Sequence, residues 1–374
     1  MSVLLLIIGL LLFVGLVVVH EFGHFIMARR GGVDVEEFGI GFPPRAKVIA
    51  KRNGTIFTLN WLPLGGFVKL KGENDADNSA GSFGAAKLNT KIKIMLAGVV
   101  MNLLTAFVLL ALLAVIGMPR LIENQFTVAS DTKVVRQDVL IGYVEPGSPA
   151  DKAGLKQRDQ ILSLGAVGAP NAVKSAEDLP KITKQFSGKE VSVVFERDNK
   201  NETTSVVLRS TEEVEASQKT DNPKGYLGIS PTEYVVRRST WSAPIVAAGF
   251  IKQATELTFK GLGTALASLF TGNTAQASAQ VAGPVGIFVL LKDGSLLGYQ
   301  FVLMIIAIIS LTLAIMNALP IPALDGGRLF VTLVFRGLRK PLTKKTEDMI
   351  HGTGFAALML LFVLITIVDV KRFL

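Results

Sequence analysis

The sequence predicts a multi-span α-helical membrane protein with four transmembrane helices, a membrane-associated β-hairpin region and an inserted α+β domain. Three observations predict it. Of 374 residues, 49% are hydrophobic and only 18% are charged, against about 25% charged in soluble domains; the mean hydropathy is +0.46. Four apolar runs without charge are long enough for a bilayer, which takes about 20 residues. A long stretch of ordinary soluble composition separates the second run from the third. A wholly soluble chain and a disordered one are both excluded.

The first run covers residues 2–19 and continues through a polar motif to residue 28. Its first basic residue is Arg29 and its apolar length exceeds that of a signal peptide core, so a retained helix is expected. The loop of residues 29–93 follows. Asn53-Gly54 stands in it between two β-prone runs, a strong hairpin signal. Leu59, Trp61, Leu62, Leu64, Phe67 and Val68 are too apolar for an ordinary loop, and a hairpin dipping into the membrane under protein cover accounts for them.

The second run is residues 94–118. Residues 122–235 then read as a small mixed domain. A strand turns at Pro146-Gly147, a short helix enters at Ser148-Pro149 and ends at Gly154, and a second strand starts at Gln160. Residues 191–197 and 204–209 alternate like paired strands, with residues 199–201 as the turn. Residues 240–280 read as an amphipathic, small-residue-rich helix and a flexible linker. The third run lies within residues 294–324, where 31 consecutive residues carry no charge. The fourth is residues 350–368. The expected division is a first membrane part (1–121), the inserted domain (122–235), the helix and linker (236–293) and a second membrane part (294–374).

Charge sets the orientation. Eleven Lys/Arg fall in residues 29–93 and six in 325–350, against two in the C-terminal tail. Basic short loops stay cytoplasmic, so both termini and the inserted domain are expected outside. The net charge of +9 then reflects those loops, and no nucleic-acid partner is expected.

There are no cysteines and only three histidines, His20, His24 and His351, which removes thiolate and disulfide chemistry. His20-Glu21-Phe22-Gly23-His24 is an H-E-x-x-H motif. Histidines at i and i+4 lie one turn apart on one helix face, so both imidazoles reach one Zn²⁺ and Glu21 stands beside it as a base for water. Ionisable groups inside a transmembrane segment are costly and functional by default. Counting from Arg29 at 1.5 Å per residue, the motif lies roughly 7–14 Å below the cytoplasmic surface.

A third ligand is required. His351 is one candidate. Asp325 is the better one, because the prolines and glycines of residues 317–327 break the helix there, and irregular backbone at membrane depth lines cavities. Asn317, on the same segment, is a candidate for holding a substrate backbone or polarising its carbonyl. For Asn102, four residues after Gly98, helix packing is the expected role. A metal-ion transporter is the rival reading of His and Asp at membrane depth, and a peptide-binding scaffold the second.

Together these motifs resemble the site-2 protease family of intramembrane zinc metalloproteases, most closely its bacterial RseP-like branch. H-E-x-x-H lies in the first span; "FGIGFPPR" and "WLPLGGFVKLKGE" look like the family's membrane-dipping β-hairpin; "LAGVVMN" is similar to its G-x-x-x-N; "GPVGI" follows; "NALPIPALDGGR" matches N-x-x-P-x-P-x-L-D-G-G. Arg328 stands where histidine is common in the family. The resemblance implies that His20, His24 and Asp325 bind zinc, that Glu21 is the general base, and that Asn317, Pro320, Pro322, Gly65, Gly66 and Phe67 hold the substrate strand. It also implies that residues 122–235 form a single PDZ-like domain that filters substrates by size. The expected activity is a zinc metalloendopeptidase in the inner membrane. It would cut single-span or signal-peptide-like segments within the bilayer, such as anti-sigma factors after a first trimming cut and remnant signal peptides.

Overall fold

A computed structural model describes residues 2–198, 200–220, 222–271 and 282–373. The chain forms two compact units: residues 1–118, 125–128 and 240–374 in one, and 119–124 and 129–239 in the other.

The first unit begins with α1 (Ser2–Arg30). Its last turn carries Arg29 and Arg30, which suit the negative end of the helix dipole. Gly32 takes a left-handed φ of +76°, and Val33 N–H donates back to Ala28 O at 2.9 Å, a glycine-dependent helix stop. Next come β1 (Val35–Arg52) and β2 (Thr55–Leu70). They meet at Asn53 (φ 49°) and Gly54 (φ +81°), the left-handed pair that a two-residue hairpin turn requires.

The hairpin is more elaborate than the single pair expected. Residues 35–40 of β1 pair on one side with 56–59 of β2 and on the other with 66–70. β1 bends at 41–44, where Gly41 has a φ of +83°, and its second half pairs with 55–60. The result is four antiparallel segments in the order 45–52, 55–60, 35–40, 66–70. Residues 66–70 form one edge, with no strand on their far side among the described residues. Phe25 of α1 packs on the sheet, 5.7 Å between ring centroids from both Phe38 and Phe57.

α2 (Leu88–Ile116) follows, and later α6 (Ala243–Phe270), α7 (Pro284–Leu296), α8 (Tyr299–Ala318), α9 (Asp325–Gly337) and α10 (Lys344–Phe373). The four helices α1, α2, α8 and α10 are long and apolar enough to cross a membrane. α8 is half buried among them, and its Val302, Ile305 and Ile306 pack with Leu16 of α1 and Leu291 of α7. Leu311 and Ile315 of α8 pack with Ala106 of α2 and Ile251 of α6. At the start of α7, Asp369 Oδ2 accepts from Gly283 N–H and Gly286 N–H at 2.8 and 2.7 Å, satisfying donors that a helix N-terminus leaves open. The short helices α7 and α9 are additions to the sequence reading. The expected linker falls partly in residues 272–281, outside the described residues, as does residue 199 of the expected turn.

The second unit holds β4 (Lys133–Val144), α3 (Pro149–Lys152), β5 (Gln160–Ala166), β6 (Ala169–Ala172), α4 (Asp178–Gln185), β7 (Glu190–Arg197), β8 (Lys200–Val207), α5 (Thr211–Ser217) and β9 (Ile229–Arg238), after a short β3 (Met118–Pro119). The strands run β9-β4-β5-β7-β8, with β6 on β5. The inward residues of this alternating sheet, Val139, Ile141, Ile161, Leu164, Val191, Val193 and Phe195, form the core with Leu179 and Ile182 of α4. Ser148 caps α3 by accepting from Asp151 N–H. Asp159 pairs with Arg197 and holds its guanidinium above the usual range.

Candidate active site

His20 and Glu21 are neighbours on one turn of α1, and His24 stands one turn further on. Two glycines let α2 approach this stretch. A Cβ at Gly23 would stand 2.6 Å from Ala97 O, and one at Gly98 would stand 2.5 Å from both His20 Cε1 and His24 Nε2. Neither position has room for a side chain, so the close crossing depends on both.

Asp325 arrives from the other half of the chain. α8 ends at Ala318, and a turn of residues 319–324 leads into α9, whose first residue is Asp325. Gly326 and Gly327 lie so close that a Cβ would collide with Ala318 O and Ile321 O respectively, and a Cβ at Gly354 of α10 would stand 2.7 Å from Pro322 O. Ala323 is held at φ 77°, an uncommon conformation for a residue with a Cβ. Its N–H donates to His351 Nδ1 at 3.2 Å. The two prolines, the glycine pair and His351 therefore fix the turn that aims Asp325. His351, the alternative third ligand, bonds this turn and is not among the convergent donors.

Three donor atoms converge. Asp325 Oδ2 lies 3.1 Å from His20 Nε2 and 3.2 Å from His24 Nε2, and the two nitrogens are 3.2 Å apart. Asp325 Oδ2 is buried with no hydrogen-bond partner, a costly condition for a carboxylate. Ligands of one tetrahedral zinc at bonds of about 2.0 Å are separated by roughly 3.3 Å, so the spacing fits that ion. Among the described residues this is the one His/Asp/Glu group able to hold a metal. His24 Nδ1 lies 2.7 Å from Ile94 O. A carbonyl can only accept, so Nδ1 carries the proton and Nε2 offers its lone pair.

Glu21 is half-buried beside the convergence point. The backbone amide of Val68 faces its carboxylate, and a Cβ at Gly66 would stand 3.4 Å from its Cγ. The free sheet edge of residues 66–70 thus runs past Glu21. Phe67 is placed differently from Gly65 and Gly66: its ring lies over Gly39, filling the space a Cβ there would take. Asn317 sits half-buried in the last turn of α8, and its amide makes no hydrogen bond among the described residues. Pro320 is exposed, and Pro322 packs on Gly354.

Asn102 bonds across helices, as its expected packing role allows, and one of its contacts is a site histidine. It is 1% exposed, its side-chain amide lies 3.2 Å from His20 Nδ1, and its backbone carbonyl accepts from Ser310 Oγ at 2.8 Å. Its spacing from Gly98, one helical turn, is the signal that places it on the histidine side of α2. The Ile94 carbonyl has no sequence signal, since every residue carries one.

A helix-borne pair of histidines, an aspartate that meets them from a distant turn and an adjacent glutamate define a metallopeptidase. Residues 8–361 match the model of peptidase family M50, and the chain belongs to that family, the site-2 proteases. It is a zinc metalloprotease. It is 32% identical over 362 residues to a protein of Clostridium perfringens named a zinc metalloprotease, covering 97% of each chain. It is 28% identical over 446 residues to the protease Eep of Enterococcus faecalis, covering 96% of each. It is 27% identical over 440 residues to the zinc metalloprotease RasP of Shouchella clausii, again covering 96% of each. The solved PDZ domain of an SdrC-like protein from Listeria monocytogenes aligns with 27% of this chain and 93% of that domain at 24% identity, with a TM-score of 0.21, too low to bear on the fold.

Proposed function

We propose that the protein is an intramembrane endopeptidase that cuts single-span or signal-peptide-like segments near the cytoplasmic face of the inner membrane. The observation that carries this reading is the convergence of His20, His24 and Asp325 beside Glu21 and a free strand edge, with both histidines and Glu21 on a helix long and apolar enough to span a bilayer. Lipid is the solvent that suits such helices: Val3 and Leu11 on α1 are 68% and 66% exposed, and Leu360 on α10 is 62% exposed. Water would disfavour a surface of this kind. The basic loops put residues 29–93 and 325–350 in the cytoplasm and the second unit outside. The bend of β2 between its segments 55–60 and 66–70, where Trp61 is 70% exposed, dips into the membrane.

His20, His24 and Asp325 hold the metal. Zinc, when bound there, supplies Lewis acidity: it acidifies water and draws charge from a scissile carbonyl oxygen. The residues of the chain do the rest. A substrate helix unwinds, because a helix hides its carbonyls, and its extended segment adds to the edge of residues 66–70 by β-augmentation. Gly65, Gly66 and Phe67 contribute backbone to that pairing, and the small side of Gly66 keeps the substrate close to Glu21. Asn317, in the last turn of α8 just before the turn shaped by Pro320 and Pro322, holds the substrate with its free side-chain amide. Glu21 takes the proton of the attacking water and gives it to the departing amide nitrogen as the C–N bond breaks.

Residues 122–235 act as a PDZ-like filter that admits substrates already shortened outside, anti-sigma-factor-like proteins and remnant signal peptides among them. The test is co-expression of a trimmed single-span substrate with the wild type and with Glu21→Gln. Cleavage by the wild type alone is expected; equal cleavage by both would overturn the assignment of Glu21.

A further inference from the structure

The two histidines face the same requirement and meet it differently. For each Nε2 lone pair to point at the common centre, each Nδ1 must carry the proton and find an acceptor. His24 finds the Ile94 carbonyl, 2.7 Å away. His20 has Asn102: the amide nitrogen Nδ2 stands 3.2 Å from His20 Nδ1, while Oδ1 of the same amide is buried without a hydrogen-bond partner. In that orientation a donor faces a donor. Turning the amide by half a revolution exchanges oxygen and nitrogen at almost unchanged positions, an assignment that hydrogen bonding alone decides. Oδ1 then accepts from His20 Nδ1–H.

We propose that Asn102 is the positioning residue of His20: its side-chain oxygen accepts the Nδ1–H bond and turns the Nε2 lone pair of the neutral imidazole toward the metal. The proposal rests on the reading of His20, His24 and Asp325 as the metal ligands. The surroundings hold the amide in place. Ser310 Oγ donates to the backbone carbonyl of Asn102 at 2.8 Å, tying α2 to α8 at this level, and the residue is 1% exposed, so water does not compete for the bond. Gly98, one turn earlier on α2, makes the space in which the imidazole stands. The two ligands thus differ in kind. The acceptor for His24 is backbone, which no substitution removes, whereas the acceptor for His20 is a side chain.

The test uses the full chain, purified in detergent, with zinc affinity measured by chelator competition. Asn102→Ala is expected to weaken zinc binding roughly 10–100-fold, the usual effect of removing a hydrogen-bond partner from a metal-bound histidine. Asn102→Asp keeps an acceptor of the same size and is expected to stay within about threefold of the wild type. Wild-type affinity in Asn102→Ala, or equal loss in both variants, overturns the proposal. If Asn102→Ala does not fold, Asn102→Asp decides: retained affinity supports the acceptor role and lost affinity overturns it. Cobalt loading gives a second readout that a packing role would not move. The wild type and Asn102→Asp should each show two exchangeable, hyperfine-shifted imidazole N–H resonances, and Asn102→Ala should lose one. Two such resonances in Asn102→Ala overturn the proposal. Wild-type zinc affinity unaffected by His24→Ala would instead overturn the metal-site reading, a separate failure.

Discussion

Gly98 of α2 lies flush against His20 of α1: a Cβ at Gly98 would stand 2.5 Å from Cε1 of the imidazole and 2.6 Å from its Nε2. The absence of one methyl group therefore sets how closely two helices can cross at the site. Gly98→Ala is expected to force the helices apart or turn both histidines, at a stability cost of about 1–3 kcal/mol for overpacking. Zinc content of the purified variant should fall with activity, and full zinc occupancy at normal activity would contradict this account.

Glu21 stands beside the donor atoms without being among the three that converge. Glu21→Gln should retain zinc at the wild-type stoichiometry while cleavage falls by roughly 10²–10⁴-fold, the usual contribution of a positioned general base. Elemental analysis together with a single-turnover cleavage assay separates the two effects. Loss of zinc from this variant would make Glu21 a ligand.

Asp325 supplies the single carboxylate of the group. Asp325→Asn removes its charge, leaving a neutral oxygen or an amide nitrogen facing the two imidazoles. Zinc should then be lost to a chelator at concentrations the wild type withstands. His351→Ala should leave the ligand set intact and act through the turn that Ala323 N–H closes on it, with a smaller loss of activity. Equal loss of zinc in the two variants would overturn this ordering.

Gly66 lies between the sheet and Glu21, with a Cβ position 3.0 Å from Gly39 O and 3.4 Å from Glu21 Cγ. Gly66→Val should narrow the space for a substrate strand and lower kcat/KM at least about tenfold with zinc affinity unchanged. Steady-state cleavage of a fixed substrate checks it. Unchanged kcat/KM would place the substrate elsewhere.

Asp369, 1% exposed, accepts from Gly283 N–H and Gly286 N–H far from the donor atoms. Asp369→Leu leaves those helix-start donors buried and unpaired, at about 1–3 kcal/mol. A thermal melt should show the loss while zinc stoichiometry stays at the wild-type value.

Much of this was legible from the chain alone because it is local. The one-turn spacing of His20 and His24 follows from 3.6 residues per helical turn. The turn at Asn53-Gly54 follows from the left-handed backbone that hairpins demand. The spans follow from runs of apolar residues, and the broken helix before Asp325 from two prolines and a glycine pair. That local break favours Asp325 over His351, but the meeting of Asp325 with the histidines was not local: it required α8 and α9 to bring residue 325 within 3.1 Å of residue 20, and the packing of Pro322 on Gly354 to aim it. The same holds for Asn102, whose role depends on which face of α2 meets α1. The doubling of residues 35–40 between two strand segments likewise came from pairing across a bend. The sequence by itself determined which chemical groups exist and how each short segment folds. Tertiary structure decided which groups meet, because contacts between residues dozens to hundreds of positions apart depend on packing and on close approaches such as those at Gly23 and Gly98, which no window of sequence contains.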